Sequence, residues 1–136
     1  METAVLTNTE LTKQNYALFK EGNIAALLEN LAPDVKWVSP GPREHIPFAG
    51  EWAGREGVGK FFETVNDTME FLAFEPREFI EQGNKVVALG YWEGRVRKTG
   101  KVDDGEWAMV FTYKNGKVTR FQEFSDTWRS VEVLRK

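Results

Sequence analysis

The chain has 136 residues, with 18 lysine and arginine residues against 21 acidic residues and a formal net charge of −3. This length is typical of one domain with a buried core, and without a clustered positive field we expect no nucleic-acid partner. The absence of cysteine and the single histidine exclude disulfides, thiol nucleophiles and multi-histidine metal sites, so we expect no metal.

The N-terminal sequence shows no targeting pattern. Residues 1–16 lack a basic stretch followed by an apolar run, and no segment approaches the roughly 18 consecutive apolar residues of a membrane-spanning helix. We therefore expect a soluble, cytoplasmic protein that has no membrane contact and whose residues 1–136 form one domain.

Two helices are predicted near the start of the chain. Asn8 or Thr9 can cap the first, whose apolar stripe includes Ala17 and which ends at Gly22. Asn23 can cap a second, shorter helix. The tight joint between them predicts a helical hairpin.

A short strand and a third helix follow. Residues 35–39, VKWVS, alternate so that Trp37 and Ser39 share one face of a strand. A Pro-Gly-Pro sequence ends this strand, and a loop extends from there to Arg55. Residues 54–69 have the apolar spacing of an amphipathic helix.

From Glu70 onward the chain changes to runs of aromatic and β-branched residues separated by turn signals. Asn115-Gly116 is the strongest of these signals, because this pair favours a two-residue hairpin turn. The sequence therefore predicts four long antiparallel strands at residues 71–82, 85–97, 106–113 and 117–128.

Gly90 and Gly94 alternate with Trp92 on one face of the second long strand. Glycine in a strand marks a bend or a close approach of another chain segment. Helices followed by a bent meander predict an α+β domain, in which a curved antiparallel sheet wraps around the N-terminal helices as a cone-shaped barrel. Such a cone has a cavity at its open end.

The stretches FKEGNIAALLENLAPDVKWVSPG, FAGEWAGREGVGKFF and NGKVTRFQEFSD, in this order of elements, resemble the nuclear transport factor 2-like (NTF2-like) superfamily. This superfamily includes ketosteroid isomerase and the SnoaL-like polyketide cyclases, and the resemblance runs from Leu11 to Thr127. It implies a pocket for a small hydrophobic molecule and no cofactor. Because the superfamily also holds hydrolases, dehydratases and non-catalytic members, the fold alone does not define the activity.

Only part of the catalytic set of ketosteroid isomerase is matched here. The aspartate base of that enzyme, in an Asp-Pro pair after the first strand, corresponds to Ser39, which cannot act as a base. Its oxyanion-binding aspartate corresponds to Ala108, beside Trp107 and Met109. Tyr16 lies within one position of its oxyanion-binding tyrosine. The resemblance therefore argues against a genuine ketosteroid isomerase.

SnoaL-like cyclases use an acid/base aspartate late in the final strand, and Asp126 is the matching position. Strand alternation places Asp126 and Glu123 on opposite faces, so only one of them faces inward unless the strand has a bulge. The sequence does not decide between them. An apolar pocket would raise the pKa of whichever acid it contains, which suits acid/base catalysis.

Other residues are candidates for the same pocket. Trp37 and Ser39 would form its wall. Alternatively, Trp37 is an ordinary core residue and Ser39 only ends the strand. His45 could act as a general acid or base, or lie on the surface. Trp52 would cover the mouth or pack on the third helix. Arg55 would bind a substrate anion or begin that helix.

Trp107, Phe111 and Tyr113 alternate along one predicted strand. On a sheet whose other face is covered by helices, this stripe predicts a homodimer interface. The function predicted overall is a cofactor-independent isomerase, cyclase or similar proton-transfer enzyme acting on a hydrophobic carbonyl compound. The alternative is a non-catalytic ligand-binding or dimeric assembly domain.

Overall fold

A curved six-stranded sheet surrounds the N-terminal helices in the computed structural model, which describes residues 5–135. Residues 1–4, which belong to the N-terminal stretch that lacks a targeting pattern, and residue 136 lie outside the described range. The elements are α1 (Asn8–Glu21), α2 (Ile24–Glu29), β1 (Leu31–Ser39), β2 (Gly50–Ala53), α3 (Gly54–Thr68), β3 (Met69–Gln82), β4 (Lys85–Val96), β5 (Val102–Lys114), β6 (Lys117–Ser125) and α4 (Thr127–Leu134).

The predicted α+β class and curved sheet are confirmed, and β3 to β6 form the predicted antiparallel meander. Asn115 and Gly116 have φ values of 52° and 79°, as their two-residue turn requires. The sequence did not predict β2 and α4. Within the described range, no helix is both long enough and apolar enough to cross a membrane.

The strand order β2-β1-β6-β5-β4-β3 brings two distant parts of the chain together. β1 pairs in parallel with β6, so that Trp37 lies opposite Phe121, and β2 pairs antiparallel with the outer side of β1. As a result, the first strand extends the inner face of the meander beside its last strand.

The N-terminus of α1 is capped one residue earlier than the sequence predicted. The Thr7 hydroxyl accepts a hydrogen bond from the Glu10 backbone N–H, and the Glu10 carboxylate accepts one from the Thr7 N–H. This reciprocal pair is a capping box, which explains why Asn8 and Thr9 lie inside the helix. Gly22 ends the helix as predicted, with φ of 79°.

The buried face of α1 is partly polar. Thr12, Asn15 and Tyr16 are buried, whereas Ala17, predicted on the apolar stripe, is exposed. The Thr12 hydroxyl lies 2.6 Å from the Tyr113 hydroxyl, which satisfies both groups inside the core. The apolar pattern was misleading here because paired polar side chains occupy the inward positions.

The stripe predicted as a homodimer interface lies in the core instead. Trp107, Phe111 and Tyr113 are buried on the inner face of β5, where the helices pack. Tyr16 of α1 has its ring centroid 5.8 Å from that of Trp107 and 5.7 Å from that of Phe111. The sequence left open which face of β5 the helices cover, and the dimer assignment for this stripe is wrong.

Gly90 on β4 allows the sheet to wrap closely around the core. A Cβ atom at this position would overlap the indole ring of Trp107 and lie 2.5 Å from the carbonyl oxygen of Glu75. The glycine therefore leaves the space in which Trp107 lies flat against β4. This is the close approach that the strand glycine predicted.

We predict that Gly90→Ala destabilises the domain by about 2 kcal/mol or more, because the new methyl group overpacks a filled site. Gly105→Ala is the matched control, since a Cβ there meets only Trp92 Nε1, at 3.9 Å. Urea denaturation of both variants measures the effect. Equal stability of the two variants would contradict this account of Gly90.

Candidate active site

An apolar cavity of about 110 Å³ lies between the inner face of the sheet and the helices α1 and α3. Aromatic side chains form most of its wall, including Tyr16, Trp37, Trp107 and Phe121. Its polar groups are few, and they include Asn15, Tyr16, Ser39, Glu123, Ser125 and Ser130. Apolar walls with a few placed polar groups are typical of small-molecule sites.

Glu123 supplies the carboxyl group of the cavity. It lies on the inner face of β6, opposite Met109 of β5. Burial raises the pKa of Glu123 from 4.5 to about 7, an effect that the Ser125 hydroxyl partly opposes. A carboxyl with this pKa can both take and give a proton at neutral pH.

Tyr16 supplies a hydroxyl donor near this carboxyl. Its hydroxyl donates to the Met109 sulfur at 3.1 Å, a weak acceptor that a ligand oxygen can replace. Burial raises the pKa of Tyr16 well above its usual value of 10.0, and the negative charge of Glu123 raises it further. Tyr16 is therefore a neutral donor at physiological pH.

Ser39 lies at the same end of the cavity as Glu123. It follows Val38, which pairs with Gln122 across the parallel β1–β6 ladder. Ser39 is buried and lines the cavity, and Trp37, two residues earlier, lines it as well. The predicted placement of Trp37 and Ser39 on one inward face of β1 agrees with this geometry.

The loop after β1 and the helix α4 close one end of the cavity. Ile46 and Phe48 reach it from the loop, and Thr127 and Ser130 reach it from α4. The Ser130 hydroxyl donates to the buried Asp103 carboxylate at 2.7 Å, which holds α4 against β5. This end of the site therefore depends on a helix that the sequence did not predict.

A wider surface cleft of about 1060 Å³ lies on the other side of a phenylalanine wall. Phe19, Phe62, Phe71 and Phe74 line both the cleft and the cavity. The Phe19 and Phe74 ring centroids are 5.0 Å apart, so the rings pack as a continuous partition. Movement of these side chains would connect the small cavity with the larger cleft.

Asp126 and Ala108 do not line the cavity. Asp126 lies just beyond β6, is exposed, and accepts a hydrogen bond from the Arg129 N–H at 3.3 Å as the N-cap of α4. Ala108 lies on the outer face of β5, because the neighbouring Trp107 and Met109 face inward. Of the two acids left open by the sequence, Glu123 is the one that faces the cavity.

His45, Trp52 and Arg55 also lie outside the cavity wall. His45 is half-buried in the turn after β1, where its backbone N–H donates to the carbonyl of Pro42. Trp52 donates its indole N–H to the Phe48 carbonyl at 3.1 Å. Arg55 donates to the Leu31 carbonyl at 2.9 Å, so its guanidinium joins α3 to the start of β1.

The sequence missed several groups that line the site. Trp107 and Met109 are two residues apart on β5. This spacing places them on the same face of the strand but does not show whether that face lines the cavity. Ser125 follows Glu123 by two residues on β6, and this spacing alone could have placed it on the same face. Within residues 5–135, no cluster of three or more histidine or acidic side chains is placed to bind a metal ion.

Comparison with known proteins gives matches over most of the chain. The profile of the SnoaL-like domain family matches residues 13–121. The uncharacterized protein Rv0034 of Mycobacterium tuberculosis is 28% identical over 119 residues, which cover 85% of this chain and 86% of that protein.

Solved structures share the same architecture. An NTF2-like protein of Burkholderia xenovorans is 28% identical with a TM-score of 0.84, covering 93% of this chain and 95% of its own. TerC, co-crystallized with polyporic acid, is 30% identical with a TM-score of 0.81, covering 95% and 98%.

Two further structures share the fold at lower identity. A candidate isomerase of Rhodopseudomonas palustris is 15% identical with a TM-score of 0.79, covering 95% of this chain and 96% of its own. A candidate SnoaL-like polyketide cyclase of Mesorhizobium loti is 20% identical with a TM-score of 0.71, covering 88% and 99%.

The raised pKa of Glu123 predicts a pH-dependent contribution to stability. The folded state holds the proton up to about pH 7 and the unfolded chain only to about 4.5. The stabilisation of the folded state that comes from the protonated Glu123 carboxyl is therefore complete below pH 4.5 and is lost as the pH rises to 7. Relative to Glu123→Gln, the free energy of unfolding of the wild type falls across this window by up to about 3 kcal/mol.

Urea denaturation of both proteins at a series of pH values measures this difference. Glu78→Gln, at an exposed position on β3, is the matched control. A difference between wild type and Glu123→Gln that stays constant or increases from pH 4.5 to 7 would contradict the burial of this carboxyl.

Proposed function

The chain belongs to the SnoaL-like domain family, and from its cavity we propose that it is an enzyme that moves a proton on a small hydrophobic carbonyl compound. One observation carries this proposal: a carboxyl group with a pKa of about 7, on Glu123, lines an apolar cavity that also contains the Tyr16 hydroxyl. An acid/base group and an oxyanion donor are the two parts that such a reaction requires.

The reaction proceeds through an enolate. The Glu123 carboxylate removes a proton from the carbon next to the carbonyl, the C–H bond breaks, and its electron pair moves toward the carbonyl oxygen. The Tyr16 hydroxyl donates a hydrogen bond to that oxygen as it gains negative charge. Glu123 then returns the proton, to the same carbon or to another carbon of the conjugated system, which gives isomerisation.

The position of Ser39 supports an altered version of the isomerase site. In ketosteroid isomerase the base belongs at the end of the first strand, where this chain has Ser39. Ser39 and Glu123 each follow a residue of the last pair between β1 and β6, and both line the cavity. A base on the next strand can therefore reach the same end of the cavity, with Ser39 as an additional hydrogen-bonding group.

The cavity volume limits the ligand to about one ring. About 110 Å³ is somewhat less than the roughly 150 Å³ cavity that holds benzene, and far below the roughly 300 Å³ or more of typical drug-sized sites. Polycyclic compounds would require movement of the phenylalanine wall. TerC was co-crystallized with polyporic acid, which makes this compound a second probe for the present chain.

We predict that the protein catalyses exchange of the α-protons of cyclohexanone with deuterium from solvent. Glu123→Gln should slow this exchange by at least about 100-fold, because the amide cannot accept the proton. Asp126→Asn is the matched control, since asparagine also caps helices and position 126 lies outside the cavity. NMR measurement of deuterium incorporation provides the rate.

Equal loss of exchange in both variants, or no loss in Glu123→Gln, would contradict Glu123 as the base. Binding of cyclohexanone without exchange would instead support the alternative of a non-catalytic ligand-binding domain.

We also propose that the chain forms a homodimer through the outer face of its sheet. This face carries an apolar patch in which Phe124 lies opposite Ala108, and Ala108 opposite Leu89. Val110 and Val87 form the next cross-strand pair, and Phe124 is 51% exposed. The other four residues are half-buried, and a contiguous, partly exposed apolar surface of this kind is typical of protein interfaces.

The charges around the patch favour a second copy of the chain as its partner. One end of the outer face carries the basic residues Lys36, Arg120 and Lys85, and the opposite end carries Glu106 and Glu93. A two-fold axis that lies in the interface and runs perpendicular to the strands brings the basic end of one copy over the acidic end of the other.

We predict that Val110→Glu shifts the protein to a monomer, because it places a charge at the centre of the apolar patch. Lys101→Glu, in the exposed turn before β5, is the control and should leave the dimer intact. Sedimentation velocity measures the oligomeric state. A wild type that remains monomeric, or a dimer that tolerates Val110→Glu, would exclude this interface.

A further inference from the structure

Two indole N–H groups are buried without a hydrogen-bond acceptor. Trp37 and Trp107 are 5% and 3% exposed, and the Nε1 atom of each has no partner within residues 5–135. Trp52, in contrast, donates its N–H to the Phe48 carbonyl. Buried donors in folded proteins are nearly always paired, so two unpaired donors in one cavity indicate an acceptor that is not part of the chain.

The two tryptophans lie on either side of Glu123 in the sheet. Trp37 of β1 is opposite Phe121, two residues before Glu123, and Trp107 of β5 is opposite Ser125, two residues after it. Positions two residues apart on a strand share a face, and all of these side chains line the cavity. The carboxyl therefore has an unpaired donor on each neighbouring strand.

Both indole rings are held in place by packing. Trp37 stacks on Phe121 with ring centroids 3.9 Å apart and planes inclined by 14°. Trp107 stacks on Phe74 at 5.3 Å and 18°, and it lies against β4 where Gly90 has no side chain. Because neighbouring rings hold both side chains in place, ligand binding does not have to order them, which lowers its entropic cost.

We propose that the N–H groups of Trp37 and Trp107 bind two oxygen atoms of the ligand, and that this ligand is a cyclic compound with two carbonyl groups flanking the carbon that Glu123 deprotonates. The inference rests on the proposed function, since it assigns the ligand of the same cavity. When the C–H bond breaks, its electron pair spreads over both carbonyl oxygens while the proton passes to Glu123. Each indole N–H then donates to an oxygen that carries part of the negative charge.

Three compounds with the same ring test this inference: cyclohexane, cyclohexanone and the cyclohexanedione whose carbonyls flank one carbon. Their binding is followed at acidic pH, where the dione is uncharged, in proton–nitrogen NMR spectra that resolve the indole N–H signals. We expect the dione to bind most tightly and to move the Trp37 and Trp107 signals, which the Trp→Phe variants assign.

Trp37→Phe and Trp107→Phe should each lower the affinity for the dione by roughly threefold to tenfold, the typical effect of one hydrogen bond. Both variants should leave the affinity for cyclohexane unchanged, because phenylalanine preserves an aromatic wall. Trp52→Phe is the matched control, since its N–H is already paired within the chain. If a variant fails to fold, benzothienylalanine at the same position keeps the ring size and removes only the N–H group.

The outcomes separate this inference from the proposed function. Equal losses for the dione and cyclohexane, or indole signals that respond alike to both, would show that the N–H groups do not bind the carbonyl oxygens and would overturn the inference. Glu123→Gln should keep the preference for the dione even though it loses proton exchange. If the wild type prefers the dione but does not catalyse proton exchange of cyclohexanone, the proposed enzymatic function is refuted and the two-donor binding site is supported. If none of the three compounds binds, both proposals are refuted.

Discussion

The curvature of the sheet around Tyr16 is the constraint on which both the core and the cavity depend. Tyr16 projects from α1 toward the inner face, where its ring lies within 6 Å of the rings of Trp107, Phe111 and Phe74. The sheet can wrap this closely because Gly90 leaves room for the Trp107 indole. The aromatic contacts that stabilise the domain therefore also form the wall of the cavity.

Glu123 is the exception to this apolar packing. Burial of its carboxyl disfavours the charged form and raises its pKa to about 7, so the ionised group lowers the stability of the folded protein at neutral pH. The same shift makes Glu123 suited to take and return protons under those conditions. Tyr16, whose pKa is raised further from neutrality, keeps its proton and serves as a donor. The same apolar surroundings therefore suit Glu123 to proton transfer and Tyr16 to hydrogen-bond donation.

Features fixed by local sequence were predictable, and those fixed by distant contacts were not. The hairpin at Asn115-Gly116 follows from the preference of these two residues for positive φ. The choice between Glu123 and Asp126 depends on which face of β6 points inward, and Phe121 and Phe124 put an aromatic residue on each face. The inward direction of Trp107 was hidden because both faces of its strand carry apolar residues. The parallel pairing of β1 with β6 joins opposite ends of the chain and leaves no local pattern.

A crystal structure of Glu123→Gln grown with cyclohexanone tests the central claim most directly, because the variant should bind the ketone without turning it over. We expect the ring inside the cavity, its oxygen within hydrogen-bonding distance of the Tyr16 hydroxyl, and its α-carbon facing the side chain at position 123. A ketone bound instead in the wider surface cleft or on the outer face of the sheet, with only water in the cavity, would contradict the account.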